Sequence, residues 1–231
     1  MAQQNVFEKI HVDERDKADL GGVLEQLNLP PSVVDFVRKN QKAIYIVLGI
    51  ISVIVVVWSF YGSYVESKIN KSSSALAQAM KVEDDKKIDA LGKVISDFSG
   101  TQSALWAKVE IAQIQINDKK YEESLQVYNE VRKEIKQENP LYPLVTFGIA
   151  QAEEALQNYQ PAVTAYTTLK TITGYEDIGY NGIARLYEVQ QKYEEAIKEL
   201  EEYLGVLMSD EQTSQEKEYI SVKINRLKAI Q

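Results

Sequence analysis

Four acidic pairs are the residues of this chain whose type best suits acid–base chemistry: Asp84-Asp85, Glu122-Glu123, Glu153-Glu154 and Glu194-Glu195. Neighbouring carboxylates can divide the work of general acid and general base when their surroundings push their pKa values apart. These pairs recur at turn and helix-start positions, where solvation and the positive end of a helix dipole account for them. His11 is the only histidine and cysteine is absent. That excludes a histidine-based triad, a multi-histidine metal site, disulfides and thiol catalysis. No P-loop, G-x-G-x-x-G, G-x-S-x-G or H-E-x-x-H occurs, so nucleotide, dinucleotide, serine-hydrolase and zinc-protease chemistry have no signature here. The expectation is a protein without catalytic residues, cofactor, metal or small-molecule substrate, one that acts by contact.

The elements that would present such a contact surface repeat along the chain. Three segments align without gaps: IAQIQINDKKYEESLQVY at 111–128, IAQAEEALQNYQPAVTAY at 149–166 and IARLYEVQQKYEEAIKEL at 183–200. Each opens on an Ile-Ala pair and carries a Tyr ten residues after the Ile (Tyr121, Tyr159, Tyr193). Three residues further stands a small side chain (Ser124, Ala162, Ala196), and four beyond that a bulky one (Tyr128, Tyr166, Leu200). The pattern predicts two antiparallel helices per unit, with the small residue letting their backbones approach and the Tyr filling the corner of the turn. A single pair cannot bury its apolar face, so the units must stack as a solenoid. A fainter copy is expected upstream, with residues 86–98 pairing with 75–80. Downstream, residues 214–230 form an amphipathic capping helix with Tyr219, Ile220, Ile224 and Leu227 on one face.

This pattern resembles the tetratricopeptide repeat, over about residues 101–208. Lys136, Gly174 and Met208 stand where that family usually closes a repeat with proline. The resemblance implies an all-α fold whose first helices line a concave, partner-binding face. Carried onto this sequence, the contact offsets fall on Trp106, Val109 and Gln113, then Leu144, Phe147 and Gln151, then Ile178, Asn181 and Arg185. Apolar anchors beside amides and one Arg suit an extended or helical apolar peptide. The alternative is that Trp106, Val109, Leu144 and Phe147 pack against the upstream helices.

Residues 43–61, AIYIVLGIISVIVVVWSFY, carry no charge, and the uncharged run reaches Val65. At ~1.5 Å per residue that length fits the ~30 Å hydrocarbon core of a bilayer. Tyr45 marks one end and Trp58, Phe60, Tyr61 and Tyr64 the other, as aromatic residues do at membrane–water interfaces. The expected organisation is a flexible cytoplasmic tail (1–31), a long helix (32–80) containing a transmembrane segment (43–64), and an external repeat domain (81–231). Ser32 and Asp35 have the spacing of a capping box, and Gly62 is the weakest point of the long helix. Arg38, Lys39 and Lys42 precede the apolar run, which places the N-terminus in the cytoplasm. Gly49, Ser52, Ser59 and Ser63 form a small-residue stripe suited to packing against another membrane helix. Past the apolar run, residues 65–231 hold 20 Lys/Arg against 27 Asp/Glu, which argues against nucleic acid as a partner.

A short tail, one anchor and an external repeat domain together resemble the ancillary subunit family of the bacterial Sec translocon (YfgM-like). The stretch FSGTQSALWAKVEIAQIQI at 98–116 is similar to that family's junction, an aromatic-small-Gly-Thr turn leading into an Ala-rich helix. The resemblance implies a periplasmic scaffold at the inner membrane whose partners are translocon subunits, a periplasmic chaperone or secreted chains. The rival expectation is an accessory subunit of another envelope complex, respiratory, pilus or division machinery.

Overall fold

Proline sets where the first helix starts. The computed structural model describes residues 30–208 and 214–230, and the expected tail, with His11, lies outside that span. Helix α1 (Pro31–Lys39) is capped by Pro30, with no side-chain cap bond, and Pro31 occupies its first turn. The fixed φ of proline is pre-organised for that position, so Ser32 falls inside the helix and the expected Ser32–Asp35 capping box does not form. Helix α2 (Gln41–Ala79) follows after a single interruption at Asn40. There the backbone leaves helical geometry, with φ −111° and ψ 17°, and the Asn40 amide and side chain both donate to the Phe36 carbonyl, at 3.0 and 2.9 Å. The long helix therefore breaks at Asn40 and not at Gly62, which lies within α2.

Eight further helices complete the described chain: α3 (Asp84–Asp97), α4 (Gln102–Asn117), α5 (Tyr121–Glu134), α6 (Tyr142–Ala155), α7 (Tyr159–Lys170), α8 (Glu176–Val189), α9 (Tyr193–Leu207) and α10 (Ser214–Ile230). No strand occurs among the described residues. Two compact units divide the chain, one ending at Val65 and the other beginning at Glu66. The second starts earlier than the expected boundary at 81, because the end of α2 serves as the first helix of the upstream pair. Lys68 Nζ donates to the Ser99 carbonyl at 2.9 Å, and Ser72 Oγ to Ser103 Oγ at 3.0 Å. Ala79 then packs with Leu91, Val94 and Ala107.

Successive pairs α4/α5, α6/α7 and α8/α9 share one turn geometry. Lys119, Gln157 and Gln191 all adopt left-handed backbone, with φ of 61°, 60° and 58°. The next amide closes back over each helix end: Lys120 N to Gln115 O at 2.8 Å, Asn158 N to Glu153 O at 2.9 Å, and Lys192 N to Tyr187 O at 2.9 Å. This is a Schellman closure built without glycine, at a local cost of roughly 1–2 kcal/mol per turn. Past the turn, Ser124, Ala162 and Ala196 are fully buried, as are Ala112, Ala150 and Ala184 on the opposite helices. The Ser124 hydroxyl donates to the Ala112 carbonyl at 2.8 Å, a bond possible only when the two backbones nearly touch.

Stacking between units rests on a ring set against a glycine. Tyr128 and Tyr166, at the ends of the first two motifs, have no exposed surface. A Cβ added at Gly148 would overlap the Tyr128 ring, and one at Gly182 would overlap the Tyr166 ring. Burying a tyrosine removes roughly 150–250 Å² from water, worth on the order of 4–6 kcal/mol. A mid-helix glycine costs only about 1 kcal/mol, so the exchange favours the stack. The last motif ends in Leu200 instead, which packs on Ile220, Ile224 and Leu227 of α10, a helix without glycine. Those three residues are buried as expected, but Tyr219 is 62% exposed. One position before Ile220, it points some 100° away around the helix.

Substituting Gly148→Ala should cost about 1–3 kcal/mol through overpacking, while Gly205→Ala, where an added Cβ meets nothing within 4 Å, should gain ~0.5–1 kcal/mol. Denaturant unfolding of both variants measures this. Tyr128→Leu placed in the Gly148→Ala background should recover part of the loss.

Candidate partner-binding surface

The first helices of adjacent units, α4 and α6, touch each other as well as their own partners, so they share one face. Trp106 lies on α4 with 44% of its surface exposed and belongs to none of the buried clusters. Val109, three residues on, is only 4% exposed and packs with Ala112, Tyr128 and Val145. Leu144 is half-buried against that same cluster, while Phe147 and Ile178 are half-buried together around Tyr166 and Ile183. None of Trp106, Val109, Leu144 and Phe147 joins the cluster formed by the end of α2 with α3 and α4, so the upstream helices do not cover them.

The amides on this face are engaged to different degrees. Gln113 accepts from the Tyr128 hydroxyl at 3.3 Å and donates to Asn117 Oδ1 at 3.5 Å. Asn181 donates to the Asp177 carbonyl at 3.0 Å, and its own Oδ1 is buried without a partner among the described residues. Gln151 is half-buried. Burial and the Glu110 charge push the Tyr128 phenol up to about 12.

Arg185 anchors a three-residue cluster that spans a unit junction. It holds Glu154 through two hydrogen bonds of 2.7 Å each, Nε to Oε1 and Nη2 to Oε2. The Tyr166 hydroxyl donates to Glu154 Oε2 at 2.7 Å and accepts from Arg185 Nη2 at 2.9 Å. Burial alone would raise the Glu154 carboxyl, but the hydrogen bonds from Arg185 and Tyr166 and the Arg185 charge outweigh it and hold it below its ordinary value. The Tyr166 phenol is pushed well above its usual range, first by burial and then by Glu154. Hydrogen bonding to Glu154 raises Arg185 despite its partial burial. Glu154 is therefore not the solvated surface residue that its pairing with Glu153 suggested. The bridge joins α6 to α8 in bidentate geometry. Its signal in the sequence was an Arg on one first helix facing a Glu near the end of the preceding one, 31 residues earlier.

Gly49, Ser52, Ser59 and Ser63 lie on α2, in the other unit, and all are exposed. Ser52 Oγ donates to the Leu48 carbonyl at 2.9 Å, and a Cβ at Gly49 would meet nothing within 4 Å. Among the described residues no three His, Cys, Asp or Glu side chains converge as metal ligands would.

The pH dependence of this cluster follows from the directions of its shifts. Glu154, lowered on folding, contributes stability above the unfolded carboxylate pKa that is lost as pH falls through its folded value. Tyr166, raised on folding, contributes stability below its unfolded pKa of about 10 that is lost as pH rises toward its folded value. Tyr166→Phe should therefore flatten part of the decline in unfolding midpoint above pH ~10. Unfolding curves from neutral to strongly alkaline pH test this, and an unchanged alkaline limb would count against it.

No curated protein matches this chain. Two crystal structures of nearly identical TPR-like repeats, from a Podosopora anserina protein described as a putative kinesin light chain, are similar at 16% identity and a TM-score of 0.47. The second is of a single-substitution form; they cover 72% of this chain and 96% and 95% of their own. The tetratricopeptide repeat-like domain model matches residues 35–229, spanning the long apolar helix, the three repeat units and the capping helix. With its helix pairs, shared turn geometry and stacked junctions, this chain belongs to the tetratricopeptide repeat-like domain family.

Proposed function

We propose that this chain is a membrane-anchored scaffold that binds protein partners through the face built by its first helices. In this reading residues 43–64 span the inner membrane of a bacterium, the N-terminus lies in the cytoplasm and the repeats lie in the periplasm. The partners are translocon subunits, a periplasmic chaperone or secreted chains, which the repeats receive or hand over beside the Sec translocon. Chemistry on a substrate has no part in it.

Helix α2 is the observation that carries the reading. One helix in the described chain is long and apolar enough to cross a membrane, and none of its most apolar 18-residue window is buried. Trp58 and Phe60 are 76% and 75% exposed. Soluble monomers rarely expose contiguous apolar patches beyond a few hundred Å², and a bilayer would cover this one. Tetratricopeptide-like repeats generally mediate protein contacts, and Trp106 offers them an aromatic anchor of the kind that dominates interface energetics. The Gly49–Ser63 stripe gives the anchor a face on which a partner's membrane helix can pack closely.

Two measurements check this. Alkaline phosphatase fused after Gln231 should be active, since the enzyme matures only outside the cytoplasm; an inactive, stable fusion would reverse the orientation. A photo-crosslinking residue at position 106 or 147 should capture translocon subunits, chaperone or secreted chains, and one at exposed Gln126 should not. If only components of another envelope complex are captured, the translocon assignment is lost, and if none is, the scaffold surface is lost too.

A further inference from the structure

Comparing the unit junctions position by position exposes a cation without its counterions. Arg132 and Lys170 are equivalent residues, each twenty positions after the Ala of its own Ile-Ala pair. Lys170 Nζ is 2.5 Å from Glu199 Oε1 and 3.1 Å from Glu202 Oε1, and lies 4.0 Å from the centroid of the Tyr180 ring. Tyr180 completes the cluster by donating to Glu202 Oε1 at 3.0 Å. The positions equivalent to Glu199 and Glu202 one unit earlier are Ala165 and Thr168. Arg132 therefore faces a methyl and a hydroxyl where Lys170 faces two carboxylates.

The space left there is a groove of about 270 Å³ lined by Arg132, Tyr142, Thr146, Ile149, Ala165 and Thr168, among others. The Arg132 guanidinium lies 4.0 Å from the Tyr142 ring centroid, and Nη2 donates to the Tyr142 hydroxyl at 2.6 Å. It forms no ion pair among the described residues. Glu153, the carboxylate that also lines the groove, accepts from Asn158 Nδ2 at 2.8 Å. A guanidinium has five N–H donors in a rigid fork that matches a carboxylate; one is spent on Tyr142. Half-buried, it offers an incoming carboxylate a charge-assisted bond of fixed geometry.

We propose that this groove binds an acidic side chain, Asp or Glu, of a partner polypeptide, in the place that Glu199 and Glu202 occupy at the next junction. The site rests on the reading of the array as a protein-contact surface but not on the bilayer or on Trp106. A failure here thus leaves the cross-linking result standing, and the reverse.

The test uses the purified full chain in mild detergent, with its arginine side chains followed by ¹⁵Nε NMR; the chain has only five arginines. The probe is N-acetylglutamate N-methylamide, with the neutral glutamine analogue and acetate as comparisons. Arg132 should shift saturably with the glutamate probe, at least tenfold more weakly with acetate, and not with the glutamine analogue. Arg185, already held by Glu154, should stay in place. A165E/T168E, which rebuilds the Lys170 arrangement around Arg132, should shift the Arg132 signal without probe and weaken probe binding at least tenfold. Equal binding of acetate would remove the peptide ligand from the proposal. No Arg132 shift, equal shifts at all arginines, or full probe binding by a folded A165E/T168E variant would overturn the site.

Discussion

The second compact unit depends on one steric permission: the ring that ends a unit must lie where the next unit's first helix has no side chain. Gly148 and Gly182 grant it, and Tyr128 and Tyr166 fill it completely. Everything larger follows. With the rings seated, the alanines at 112, 150 and 184 can be fully buried, and Arg185 comes within bidentate reach of Glu154 across the junction. Neither the capping of single helices nor their propensity would set that distance, since most of the helix starts lack a side-chain cap.

Polar contacts then specify what the apolar stack leaves loose. Each junction carries its own arrangement. At Tyr166 the ring's hydroxyl sits between Glu154 and Arg185. At Tyr180 the ring lies nearly parallel to Tyr203, centroids 4.8 Å apart, with Lys170 beside it and Tyr203 bonded in turn to Glu216 on the capping helix. Burial and the Glu216 hydrogen bond push the Tyr203 phenol well above its usual range. Such contacts tie α7, α9 and α10 together, and their differences from one junction to the next make units of similar outline individually distinguishable.

Repetition made the fold legible, and whatever was not repeated stayed hidden. The Ile-Ala pair, the small residue and the bulky closing residue appear three times at the same offsets. The burial of the alanines, the small residues and the closing residues was thus legible from spacing alone, while Ile111 and Ile149 stay half-buried. The turn tyrosines at 121, 159 and 193 sit half-buried where each second helix begins. The glycines at 148 and 182 stand in the sequence too, but that they seat a ring becomes evident only when one unit is set against the next. The Glu154–Arg185 bridge occurs once, its ends 31 positions apart, and periodicity does not register a single event. Val109 and Trp106 share an apolar character and a helix, yet one is enclosed and the other open, because burial there depends on the neighbouring unit and not on spacing. Local chemistry set the remaining differences: Pro30 and Pro31 moved a helix start ahead of Ser32, and the backbone leaves helical geometry at Asn40.

Leu200 has a consequence for how such an array could grow. A tyrosine-ended unit is a plug and a glycine-bearing unit is its socket. The unit from Ile149 to Tyr166 supplies a plug behind and, through Gly148, a socket in front. Duplicated in tandem with its preceding glycine, it would join itself without altering either neighbour. The final unit has the socket but ends in a branched aliphatic matched to the bespoke surface of α10. The stack is thus extensible from within and closed at its end, a polarity written in a single exchanged side chain.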